Sequence, residues 1–200
     1  MRRSTGRLIA VEGIDQSGKR TQSLLLAKAL TANKQPNALF SFPDYSTPLG
    51  QQLRAYLSGK IHPDYHVVHM LYAANKWERA REILDQINNG RFVIVNRYTP
   101  SNLAYGHAHG LNLQWLYHLE SNLPRPNIVF VLDVSPKSSF ARKRKSRDIH
   151  EGDLAYLSRV RKIYRRLATR YGWKFVNAEQ EEAIVHSILW KEMSPLLKHK

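Results

Sequence analysis

Short runs of apolar, β-branched and aromatic residues recur along the chain, and longer stretches separate them in which apolar positions fall three and four apart. "RLIAVE", "NALFSF", "FVIVN", "NIVFVLDV" and "WKFVNA" predict five strands. "KRTQSLLLAKALTAN", "PLGQQLRAYLSG", "DYHVVHMLYAANKWERAREILDQINN", "NLQWLYHLESNL", "DLAYLSRVRKIYRRLATRYG" and "EEAIVHSILWKEM" predict helices, several with Gly or Asn near an end. This alternation is the pattern of an α/β protein, here a five-stranded parallel sheet flanked by helices. Strands buried on both faces should be almost continuously apolar, as "VFVL" and "FVIV" are. No repeat, low-complexity linker or Pro/Gly-rich boundary divides the 200 residues, a length that suits one domain.

The longest predicted helix carries Met70, Ala73, Trp77, Ala80, Leu84 and Ile87 as one apolar stripe, read first as core and second as a subunit interface. Tyr72 and Lys76 sit four apart on a neighbouring face that can be used for binding.

Composition narrows the class. Hydrophobic residues make up 42% of the chain, with 4 Trp, 10 Tyr and 6 Phe, as expected of a folded protein. No apolar run is long enough to span a membrane, and the first residues lack a secretory pattern, so a cytoplasmic location is expected. The absence of cysteine excludes disulfides, thiol catalysis and Cys-ligated zinc. A net charge of +15 raises the question of nucleic acid. Much of it is concentrated between Lys137 and Arg170, where a solvated helix face accounts for the later part as well as a partner does.

"VEGIDQSGKRTQ" joins the first strand to the first helix. Gly13, Gly18 and Lys19 fit the phosphate-loop spacing G-x-x-x-x-G-K-[ST] up to its last letter, where Arg20 replaces the hydroxyl residue that ligates Mg²⁺. Strand, glycine loop and helix in that order turn backbone N–H groups and the helix dipole toward an anion, and Lys19 reaches the terminal phosphates. One step along a helix rotates a side chain by about 100°, so Thr21 does not inherit the missing hydroxyl's place.

"EGIDQSGKRTQ", "FPDYSTPLG", "HMLYAANKWE", "VNRYTPSNLAYG", "LPRPNIVFVLDVSP" and a basic run before "YLSRVRKIY" follow the order and spacing of the thymidylate kinases, which the chain resembles from about Leu8 to Leu189. The resemblance implies a P-loop NTPase of the nucleoside monophosphate kinase kind, with a short basic lid at about 137–152, that transfers the γ-phosphoryl group of ATP to dTMP. It implies that Gly13, Ile14, Asp15, Gln16, Ser17, Gly18, Lys19, Arg20 and Thr21 cradle ATP, with Arg142 nearer the adenine. Phe42 and Tyr72 match the thymine pocket, Tyr72 by stacking, and Lys76 also stands there. Arg97 would hold the dTMP phosphate through a bidentate contact. Asp15, Ser101 and Tyr105 would lie near the sugar and base, the Tyr105 ring crowding out a 2′-hydroxyl.

Some members carry the catalytic arginine in the phosphate loop and others in the lid. With Gln16 in the loop and Arg142, Arg144 and Arg147 in the lid, this chain resembles the lid kind. Lys19, Arg97, Arg144 and Arg147 are then the catalytic set. A homodimer packed through helices is also implied, and nucleic acid is not an expected partner.

Tyr45, Lys76, Gly106, Asn96 and Arg20 depart from the family pattern. Arg20 for a hydroxyl residue and Asn96 for a carboxylate each shift the phosphate site by one positive unit, together the charge of Mg²⁺. The reading that follows is that Arg20 meets part of the ATP charge and that Mg²⁺ is held mainly by phosphates and water; the alternative is that Arg20 points away and pairs with a carboxylate. Other functions weighed are a kinase of the same fold for another monophosphate, such as dUMP, and a non-catalytic nucleotide or nucleic-acid binder.

Overall fold

A computed structural model describes residues 6–142 and 153–197. All five predicted strands are present: β1 (Arg7–Glu12), β2 (Asn37–Ser41), β3 (Phe92–Asn96), β4 (Ile128–Asp133) and β5 (Lys174–Asn177). They form one sheet in the order β2-β3-β1-β4-β5, with every neighbouring pair parallel. Leu8 to Val11 and Val93 to Val95 are wholly buried, as continuous apolar runs in a doubly covered sheet should be. The chain steps from β1 out to β2, returns through β3, then crosses to β4 on the other side of β1. That reversal opens a crevice at the carboxyl ends of the strands.

The helices are α1 (Lys19–Ala32), α2 (Pro48–Leu57), α3 (Tyr65–Asn88), α4 (Thr99–Ala108), α5 (Leu113–Glu120), α6 (Pro136–Arg142), α7 (Leu154–Tyr171) and α8 (Glu182–Met193). Their ends follow capping chemistry. Thr47 Oγ1 accepts from the Gly50 N–H at 3.1 Å ahead of Pro48, and Asp153 accepts from the Tyr156 N–H at 2.8 Å. Gly172, at φ 69°, closes α7 in the left-handed region.

Two helices were not predicted. The α4 segment "TPSNLAYGHA" is rich in breakers and small residues, and Pro100 and Asn102 through Gly106 are all buried, so it has no polar face to reveal a helical period. The seven-residue α6 is too short to show one.

The stripe on α3 is corrected as well. Ala73 and Ala80 are buried, but Met70, Trp77 and Leu84 are each more than two-fifths exposed. The inner face is instead formed by Val68, His69, Ala73, Lys76, Ala80 and Ile83. Buried His69 and Lys76 occupy core positions that a hydrophobicity pattern assigns to solvent.

Part of the basic run has an internal use. Arg161 donates to Asp133 through Nε at 2.6 Å and Nη2 at 2.7 Å, and Arg165 Nη2 does so at 2.7 Å. Burial works against the Asp133 charge, yet the two guanidinium groups hold its carboxyl below the usual range.

Candidate active site

The loop after β1 needs its glycines. Gly13 has φ 134°, and a Cβ there would lie 2.5 Å from the Leu132 carbonyl oxygen and 2.7 Å from Ser17 Oγ. Gly18, at φ 93°, begins α1 with no side-chain cap, which leaves the first N–H groups of the helix for an anion. Lys19 is buried; its Nζ donates to the Ile14 carbonyl at 2.6 Å and reaches Ser17 Oγ at 3.5 Å, so the ammonium lies across the loop.

Beside the loop is a cavity of about 300 Å³ lined by Gln16, Ser17, Gly18, Thr21, Arg142, Ala178 and Gln180, among others. Arg142 spans it, donating to the Gln16 carbonyl at 3.1 Å and to the Ala178 carbonyl at 2.8 Å. The same guanidinium thus touches the phosphate loop and the turn after β5, with room between them for a nucleotide. Ser139 Oγ ties the start of the lid segment to the loop by donating to the Asp15 carbonyl at 2.7 Å. Arg144 and Arg147 lie outside the described residues.

A second cavity, of about 110 Å³, is lined by Asp15, the residue before Gln16 in the loop. The structure brings together there every residue expected for the acceptor: Asp15, Phe42, Tyr72, Lys76, Arg97, Ser101 and Tyr105. Arg97 lies at φ 62°, a left-handed conformation unusual for a residue with a Cβ. Its guanidinium pairs with Asp15, approaches Tyr105 Oη at 3.4 Å and lies 5.2 Å from the centre of that ring. Burial opposes its charge, but Asp15 and the nearby Tyr105 and Tyr164 hold it well above its ordinary pKa. Tyr105 Oη donates to Asp15 at 2.8 Å, and burial pushes this phenol far up, so it stays a donor.

Several contributors gave no motif. Glu12, wholly buried, accepts from the Tyr98 N–H at 2.6 Å, from Ser101 Oγ at 2.5 Å and from Tyr164 Oη at 3.0 Å, and so fixes the start of α4 against the loop. Lys76 does not hang free in the cavity. Its Nζ donates to Glu120 Oε1 at 2.8 Å and to the Tyr72 carbonyl at 3.0 Å. Asn102 Nδ2 donates to the same Glu120 oxygen at 3.0 Å, and Asn102 Oδ1 meets His69 Nδ1 at 2.6 Å. Because the Asn102 amide nitrogen is committed as a donor, its oxygen accepts and His69 Nδ1 carries a proton. His69 Nε2 then meets His109 Nδ1 at 3.0 Å, and the His109 ring stacks on Tyr65 at 3.8 Å and on Tyr156 at 4.7 Å. Isolated His, Asn and Glu positions carry no spacing that marks such a chain, and only folding assembles it.

Arg20 and Asn96 have different surroundings. The Arg20 side chain is exposed and lines a separate groove with Ser23, Ser41, Asp44, Arg79 and Glu82, not the cavity over the loop. It forms no ion pair among the described residues, because Arg79 already holds Asp44 at 2.7 Å and Glu82 at 3.3 Å. Asn96 Nδ2 donates to Ser41 Oγ at 3.3 Å, while Asn96 Oδ1 is buried without a hydrogen-bond partner.

A glycine loop at the switch of a parallel sheet, with a second cavity one carboxylate away holding an arginine and stacked aromatic rings, defines a P-loop nucleoside monophosphate kinase. The family model for thymidylate kinase matches residues 11–188. The thymidylate kinase of Schizosaccharomyces pombe is 34% identical over 191 residues, covering 93% of this chain and 90% of the relative. That of Homo sapiens is 33% identical over 184 residues, covering 90% and 86%. The solved thymidylate kinase of Candida albicans superposes with a TM-score of 0.87 at 27% identity, covering 98% of this chain and 94% of its own. The chain belongs to the thymidylate kinase family.

Proposed function

We propose that the protein transfers the γ-phosphoryl group of ATP to dTMP, giving dTDP and ADP, and that the whole chain acts as one kinase domain with a lid at about 137–152. The carrying observation is that consecutive residues of the phosphate loop line the two cavities, Asp15 with Arg97 the one and Gln16 to Gly18 the other, so one nucleotide in each would bring its phosphates to the same loop. The acceptor oxygen belongs to a phosphate monoester whose second pKa is about 6, so it is already ionised near neutrality and needs no general base. The protein's work is alignment and charge. Lys19 leaves its carbonyl partner for the ATP phosphates, and Arg97 turns from Asp15 to the acceptor phosphate. Asp15 and Tyr105 are left facing the sugar, and Tyr72 faces the base. Arg142 lies nearer the adenine, and Arg144 or Arg147 from the lid reaches the transferred group on closure.

Mg²⁺ belongs to this reading as charge neutralisation on the phosphates. Among the described residues no three His, Cys, Asp or Glu side chains converge as a metal site. Phosphate oxygens and water would be its main ligands, and Asn96 Oδ1, buried without a hydrogen-bond partner, would be available to accept from such a water.

A homodimer fits the exposed row of Met70, Trp77 and Leu84, seven residues apart on α3. No helix among the described residues is long and apolar enough to cross a membrane, and a cytoplasmic location goes with the nucleotide substrates.

The deciding experiment measures ADP release with dTMP, with dUMP and with no acceptor, each with and without Mg²⁺. Turnover fastest with dTMP supports the proposal. The Candida albicans relative is described as having broad substrate specificity, and comparable rates with dUMP would widen the acceptor class. No acceptor-dependent release would overturn it.

A further inference from the structure

A sizeable cavity of this protein lies away from the catalytic crevice. It measures about 430 Å³ and lies at the opposite end of the sheet, where β4 and β5 begin, bounded on one side by the first turn of α4. Its size falls within the range of small-molecule sites, roughly 300–1,000 Å³.

Three kinds of group converge there. Tyr117, Tyr171 and Trp173 supply aromatic surface, the last two stacked at 5.5 Å with an interplanar angle of 26°. Arg125 and Lys174 are exposed cations on its lining; Lys174 shares its charge with Glu192 at 2.9 Å, and the Arg125 guanidinium donates to a neutral group, Tyr117 Oη, at 3.4 Å. The third group is Glu120, which lines the cavity although only 5% exposed. Its Oε1 takes both Lys76 and Asn102, while Oε2 is buried with no hydrogen-bond partner.

A ligand satisfying all three needs a flat ring for the aromatic walls, an anionic group for Arg125 and Lys174, and an N–H donor for the orphaned carboxylate oxygen. A nucleotide has these together, the donor being the exocyclic amine or ring imide of its base. We propose that this cavity is a second nucleotide site, and that Glu120 couples it to the acceptor cavity. The coupling route is short. A donor drawn to Oε2 competes for the carboxylate that holds Lys76 and Asn102, both of which line the acceptor pocket. This second half rests on the acceptor reading of that pocket; the binding half does not.

The test uses the full-length protein and two pyrimidine probes, dCTP with an amine donor and dTTP with an imide donor. With the acceptor cavity kept filled by dTMP, calorimetric titration should find two equivalents per chain, one at the phosphate loop and one at the distal cavity. In Arg125→Glu and, separately, Trp173→Leu, the second equivalent should weaken by roughly tenfold or more, the loss of one charge-assisted contact. Turnover at low nucleotide concentration should be unchanged in both, since neither residue nears the crevice. At saturating ATP, filling the distal cavity should shift the KM for dTMP several-fold in the native protein and leave it fixed in Arg125→Glu. Inorganic triphosphate and deoxycytidine alone should each bind more weakly than dCTP. A single equivalent per chain, or a second one untouched by both substitutions, overturns the site, and a filled site with an unmoved KM overturns the coupling. Two equivalents in a protein without acceptor-dependent turnover would leave the site standing and sink the kinase reading instead.

Discussion

The Lys76 ammonium and the Glu120 carboxylate meet 2.8 Å apart, with side chains 3% and 2% exposed. Burial raises the Glu120 pKa, and Lys76 and Asn102 oppose that rise. Removing one partner strands the other charge inside the protein, so Glu120→Ala should cost roughly 3–5 kcal/mol, while Lys76→Met with Glu120→Leu should recover most of it. Urea unfolding midpoints of the three variants check this, and a double variant no more stable than Glu120→Ala would refute it.

Arg97→Lys keeps a positive charge but loses the planar fork. The KM for dTMP should rise roughly tenfold or more, with the KM for ATP changed much less. Steady-state kinetics with each substrate varied in turn would show the split; an equal rise in both would place Arg97 elsewhere in the reaction.

Gly106 is a departure with a packing cause. A Cβ at this position would lie 2.6 and 2.8 Å from the Leu116 methyl groups and 3.1 Å from His69 Nδ1. Gly106→Ala should therefore cost about 1–3 kcal/mol. By displacing His69 from Asn102 it should also raise the KM for dTMP. Thermal unfolding and acceptor kinetics on the same variant test both halves.

Asp133 offers a pH test. Its native pKa lies below the ordinary 3.8, so the stability it contributes is complete above that ordinary value and fades as pH falls through the lower native one. Asp133→Asn should be less stable than the native chain by about 1–3 kcal/mol near neutrality, and the gap should close below about pH 3. A gap independent of pH would mean that packing, not charge, is lost.

For the metal, Arg20→Ser with Asn96→Asp restores a hydroxyl and a carboxylate at the two altered positions. The Mg²⁺ concentration giving half-maximal rate should fall several-fold. Since the Arg20 guanidinium faces the neighbouring groove, chloride titration at fixed Mg²⁺ should affect the native chain and Arg20→Ala alike.

How much of this could be read beforehand depended on whether a residue's role is local. The strands, the glycine loop and the capped helices were legible because Gly18, Thr47 and Gly172 act on their own neighbours in the chain. The acceptor residues Phe42, Tyr72, Arg97, Ser101 and Tyr105 were legible only through the family resemblance, and all lie on one cavity. Glu12, His69, Asn102 and Glu120 escaped because each works through a partner tens of residues away, and Glu12 reaches Tyr164 across the whole sequence. The α3 stripe misled for a related reason: Lys76 is buried because Glu120 is there to meet it, and Met70 and Trp77 lie outside.

The division of the crevice into two cavities has a consequence for how such a protein changes over time. On the proposed reading the ATP side is built from the loop, Arg142 and the turn after β5, while the acceptor side hangs from the turn after β2, from α3 and from α4. Three of the unusual residues, Tyr45, Lys76 and Gly106, lie on or beside the acceptor half. The two cavities share no lining residue and meet only through neighbouring loop positions, Asp15 and Gln16, so a lineage can explore new monophosphates by drift in α3 and α4 while its grip on the phosphoryl donor is inherited intact.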